Sequence, residues 1–112
     1  MATDNIELTK DAAVFLSIMY DEFKRRKKSG SSREESSRFL PFFWKEMKKL
    51  NDIPDEDINI CIQELKRKGL VSADILGNVM LTDDGISFSE LKLKRFLKEA
   101  FGIVTGSASA IK

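Results

Sequence analysis

The sequence predicts a mainly α chain with a small β-hairpin, an α+β fold in one domain. Three observations predict it. Apolar residues recur at three- and four-residue spacing along successive stretches, the mark of amphipathic helices. Two short β-prone runs, "LVSADIL" and "VMLT", flank Gly77-Asn78, a dipeptide suited to a tight hairpin turn. The chain has 112 residues, 42% of them hydrophobic and eight of them phenylalanine, enough to bury one core but not two.

Residues 1–8 are a polar, acidic arm. Thr9 is a good N-cap for a first helix, in which Ala12, Phe15, Leu16, Met19 and Phe23 form an apolar stripe widened by Val14 and Ile18. Asp11 at its start and the run Lys24 to Lys28 at its end both suit the helix dipole. Ser29-Gly30-Ser31-Ser32 stops it. Ser32 with Glu35 is then a capping-box pattern for a second helix, in which Pro41 forces either a kink or a fresh start. From Pro41, Phe43, Trp44, Met47 and Leu50 fall on one face, Phe39, Leu40 and Phe42 crowd its entrance, and this stretch is expected to be the heaviest part of the core.

Asn51-Asp52-Ile53-Pro54 turns into a third helix, with Pro54 at a first helical position and Asp55, Glu56 and Asp57 at the positive end of the dipole. Ile58, Cys61, Ile62 and Leu65 are its buried stripe, and Gly69 follows as a residue able to adopt positive φ. Leu70 and Val71 anchor the hairpin, in which Val79 and Leu81 alternate. Thr82 or Asp83 caps a final helix over about residues 83–104, whose stripe is Leu93, Phe96, Leu97, Ala100, Phe101 and Val104. So long a stripe predicts a helix that buries itself against a second copy, with packing across the first helix as the alternative. Residues 105–112 form a small, polar tail expected to be disordered.

Nineteen basic residues face eighteen acidic ones, so net charge selects no partner. The distribution is uneven: residues 24 to 49 hold ten bases and three acids, whereas residues 51 to 64 hold five acids and no base. The chain has no histidine, no glycine-rich phosphate loop, no cysteine pair for a metal and no nucleophile-base arrangement, so neither an enzyme nor a cofactor is expected. The single cysteine, Cys61, excludes an internal disulfide and fits a reducing compartment. With no secretory leader pattern and no run near the roughly 18 apolar residues of a spanning helix, the expected location is cytoplasmic, without membrane contact.

The order helix, helix, helix, hairpin, helix, with "LKRKGLV" before the hairpin and "LTDDGISF" after it, resembles the winged helix-turn-helix superfamily over residues 9–104. It is most similar to small bacterial and phage regulators whose last helix dimerises. The resemblance implies a three-helix core, a two-stranded wing and a long C-terminal helix. It also implies a homodimeric regulator of transcription on double-stranded DNA, with the third helix in the major groove. On that helix Asn59 and Gln63 suit adenine edges and Arg67 suits guanine, with Lys66 beside them. Asp55, Glu56 and Asp57 have the wrong charge for such a groove, and residues 71 to 86 contain no lysine or arginine to serve a wing. DNA binding then rests on phosphate contacts from Arg25, Arg26, Lys27, Lys28, Arg33, Arg38, Lys45, Lys48 and Lys49. The alternative is an adaptor of the same fold that contacts a protein partner. The feature that separates the two is whether the bases converge on the face of the third helix.

Overall fold

A computed structural model describes residues 6–103. In chain order the elements are α1 (Lys10–Lys28), α2 (Arg33–Ser37), β1 (Arg38–Phe39), a 3-10 turn (Phe43–Glu46), α3 (Asp55–Arg67), β2 (Val71–Ala73), β3 (Val79–Leu81), α4 (Asp83–Phe88), a π-helical turn (Ser89–Leu93) and α5 (Lys94–Phe101). The expected α+β class holds, with helices dominant and one small antiparallel sheet in the order β1-β3-β2.

The first helix forms where its caps and stripe predict. Thr9 Oγ1 accepts the Ala12 amide at 3.3 Å, and Ala12, Phe15, Leu16, Met19 and Phe23 are buried. The same hydroxyl donates to Glu64 Oε1 at 2.7 Å, and the Thr9 amide donates to Glu64 Oε2 at 2.7 Å. A buried carboxylate on α3 therefore fixes the first turn of α1 by two charge-assisted bonds. Leu8, within the predicted arm, is buried in the same core.

The stretch after α1 departs most from expectation. The Ser32–Glu35 capping box is present, yet α2 lasts only five residues. Arg38 and Phe39 leave it to pair with Met80 and Val79, adding a third strand to what the sequence presents as a two-stranded hairpin. The predicted helix from Pro41 to Leu50 is replaced by turns and the single 3-10 turn. Two constraints explain this. A proline disfavours helical geometry in the residue before it, and Phe42 takes a left-handed conformation with φ 60° that no right-handed helix passes through. The apolar residues still do what their pattern predicts: Phe39, Phe43, Trp44 and Leu50 are buried, and their rings pack at 4.9 Å (Phe39–Phe43) and 5.3 Å (Phe43–Trp44) between centroids.

α3 buries Ile58, Cys61, Ile62 and Leu65 as expected, together with Glu64, and ends at Gly69 with φ 78°. Across the hairpin Val71 faces Leu81 and Ala73 faces Val79, so residues 74 to 78 make a longer connection than the predicted Gly77-Asn78 turn. The reason is Asp74, whose Oδ1 accepts the amides of Leu76 and Asn78, each at 2.9 Å, and builds the loop around its own carboxylate.

Thr82 caps α4 by accepting the Gly85 amide at 2.9 Å. Its own amide donates to the Leu70 carbonyl at 3.1 Å and its hydroxyl to the Gly69 carbonyl at 2.6 Å. A Cβ on Gly85 would stand 2.0 Å from that Leu70 oxygen, so this turn of helix passes the Leu70 backbone only because residue 85 has no side chain. The helical path then runs on through the π turn and α5 to Gly102, at φ 70°.

The apolar stripe of this last segment, expected at a dimer contact, is largely consumed within the chain. Leu93 and Leu97 are buried, Phe96 and Phe101 are half-buried against the core, and Ala100 is exposed; Val104 and the predicted tail lie outside the described residues. The segment packs on α1, so the apolar face finds its cover there.

Glu64→Ala is expected to lower the unfolding free energy by about 2–3 kcal/mol, because a helix cap loses both bonds to a charged acceptor. Denaturant melts of the two proteins measure this, and an unchanged midpoint would contradict the role given to Glu64.

Candidate interaction surface

Two surfaces contain polar residues singled out in the sequence, a third is apolar, and the three differ in chemistry. On α3, Glu56, Asn59, Ile60, Gln63 and Arg67 line one shallow depression. Helical spacing brings Asn59, Gln63 and Arg67 onto this face, while Lys66 is exposed beside it. Ile60, 61% exposed, was absent from the sequence-based set; it breaks the amphipathic pattern of its helix, which was the available signal. At the start of α3, Asp55 accepts the Trp44 indole N–H at 2.8 Å and pairs with Lys45 Nζ at 3.1 Å. These contacts, the indole bond foremost, hold its carboxyl below the usual carboxylate range.

The bases of residues 24 to 49 do not form one free array. Arg25 and Arg26 both pair with Glu22, whose carboxyl is lowered chiefly by the Arg25 bond. Arg26 also donates to the carbonyls of Ser36 (3.3 Å) and Arg38 (2.6 Å) and lies 4.4 Å from the centre of the Phe39 ring. It is thereby a strut between α1 and β1, with its guanidinium already engaged. Arg33 pairs with Asp83 and Arg38 with Glu34, each at 3.0 Å. Lys27, Lys28, Lys48 and Lys49 are exposed and have no side-chain partner among the described residues. Arg25, Arg26, Lys48 and Lys49 share a groove between α1 and the 40–49 segment, whereas Asn59, Gln63 and Arg67 line the separate depression on α3.

The third surface is one end of the sheet, where apolar side chains face solvent. At the hairpin tip Ile75 is 99% and Leu76 75% exposed; on the loop leaving β1, Leu40 is 65% and Phe42 56% exposed. These loops adjoin, since a Cβ on Gly77 would lie 3.4 Å from Pro41 Cβ. The adjacency follows from pairing of β1 with β3, which places residue 40 beside residue 78. Leu40 and Phe42 also line the groove, of about 630 Å³, with Ile18, Phe43 and Met47 on its walls. Sequence reading missed this patch because it treated Leu40 and Phe42 as core and the tip as a plain turn.

Trp44 is buried edge-on against Phe43, whereas Phe42 and Phe43 reach the groove wall. Cys61 is buried, and burial, with Asp11 and Glu64 adding to it, pushes its thiol up to about 11, away from the reactive thiolate. No described helix is long and apolar enough to cross a membrane. Comparison with family models, curated proteins and solved structures finds no match.

The tip geometry has a pH signature. The bonds from Asn78 foremost lower the Asp74 carboxyl, so the ordering they supply is present above the ordinary carboxylate range and lost as pH falls through the depressed value. Amide shifts of Leu76 and Asn78 are expected to stay constant through the range where exposed carboxylates titrate and to move only below it. Movement in step with a free aspartate would contradict the carboxylate-centred loop.

Proposed function

We propose that this chain is an interaction module of winged-helix type that docks a protein partner through the apolar end of its sheet. The observation that carries it is the exposure of Ile75 (99%) and Leu76 (75%) at a hairpin tip with no basic residue between positions 71 and 86. A hairpin used on DNA meets phosphates and gains from lysine or arginine; this one presents two aliphatic side chains beside Asp74. Leu40 and Phe42 continue the same surface. Clustered apolar exposure of this kind marks interaction sites more often than chance surface composition does.

The disposition of charge supports the same function. Five of the nine proposed phosphate contacts, Arg25, Arg26, Arg33, Arg38 and Lys45, have an acidic partner within the chain. Exposed pairs are weak and can exchange, but Arg26 is held by carbonyls as well. The start of α3 carries Asp55, Glu56 and Asp57 where a groove-reading helix meets the duplex.

A second function, regulation through double-stranded DNA, is favoured by one observation: Asn59, Ile60, Gln63 and Arg67 share one exposed face. Asn59 and Gln63 offer adenine contacts, Ile60 a thymine-methyl contact and Arg67 a guanine contact, with phosphate contacts from Lys27, Lys28, Lys48, Lys49 and Lys66. A gel shift on random duplex at low and moderate salt separates the two. The docking function predicts no shift even at low salt. A salt-sensitive shift that Asn59→Ala with Gln63→Ala weakens by at least about tenfold would establish the DNA function instead.

A further inference from the structure

We propose that the partner at the apolar end is a second copy of this chain, the hairpin tip of each copy seated in the groove of the other. This rests on the docking function above and names its occupant. The chain carries both halves of such a contact side by side. Ile75 and Leu76 protrude, and the neighbouring groove of about 630 Å³ is recessed and walled by Leu40, Phe42 and Met47. Pro41 lies in that groove and against Gly77, so protrusion and recess share a border.

Charge matches in the same sense. The tip carries the exposed Asp74 carboxylate, and the groove carries Lys48 and Lys49, neither with a partner among the described residues. Of the groove's acids, Asp21 is paired with Lys24 and Glu22 with both arginines, leaving Glu46 against the two lysines. A two-fold axis through the shared border sets tip on groove twice, apolar on apolar and Asp74 toward the lysines, and closes without an open end. Phe42 contributes a second sign of a built surface. Its φ of 60° is an unfavourable conformation for a bulky residue, and it leaves the ring 56% exposed at the groove edge instead of in the core.

Sedimentation equilibrium of the full chain, without nucleic acid, from low to high micromolar concentration tests this. The expected result is a reversible monomer–dimer equilibrium whose dissociation constant rises at least about tenfold in Ile75→Ser with Leu76→Ser. Lys48→Glu with Lys49→Glu is expected to weaken it as well. All four side chains are exposed, and unchanged circular dichroism confirms folding of the variants. A monomer at every concentration, or a dimer indifferent to both double variants, would overturn the proposal. The gel shift reports on the docking function separately, so a chain that stays monomeric is distinguished from a chain whose docking function itself fails.

Discussion

One close approach organises this fold: the first turn of α4 crosses the Leu70 carbonyl at a distance that admits no side chain at Gly85. Three bonds converge there, from the Thr82 amide to Leu70, from the Thr82 hydroxyl to Gly69 and from the Gly85 amide to Thr82 Oγ1. The end of α3 and the start of α4 are thereby clamped together across the base of the hairpin. The hairpin must leave and return within this span. Its tip is carried outward, and the last helical segment is directed back over α1, where Leu93 and Leu97 complete the core. A helical glycine is weaker than alanine by about 1 kcal/mol in isolation. Here that loss permits a contact that no other residue allows.

The second organising feature is the pairing of β1 with β3. A strand of only two residues adds little stability itself, but it pulls the chain out of α2 and delivers Leu40, Pro41 and Phe42 to the end of the sheet beside the hairpin tip. Arg26 holds the departure point, through its bonds to the Ser36 and Arg38 carbonyls. The basic cluster at the end of α1 is thus divided between internal bracing and solvent. The apolar patch arises where two loops meet, so neither loop alone discloses it.

What was legible in the sequence was local. The caps at Thr9, Ser32 and Thr82, the buried stripes of α1 and α3, and the glycine ending α3 all follow from spacing and side-chain chemistry. The helix expected from Pro41 was not legible, because its apolar spacing fits a helical face while the competing pull comes from Met80 and Val79, some forty residues away in sequence. The last stripe had two possible covers of equal apolar character, α1 or another chain, and periodicity cannot distinguish them. Glu64 was invisible for a related reason: a carboxylate among charged neighbours reads as surface until its partner, Thr9, is brought to it by the packing of α1 on α3. At the candidate site, the polar face of α3 was visible from helical spacing, whereas the sheet-end patch required the register.

Thermal and denaturant unfolding of Gly85→Ala tests the organising constraint most directly, because the two opposing effects differ in sign. If the Leu70 contact governs this turn, the added methyl displaces α4 from the Leu70 backbone, and a net loss of about 1–3 kcal/mol is expected despite the better helix propensity of alanine. A gain of about 1 kcal/mol, as at an unconstrained helical glycine, would contradict it.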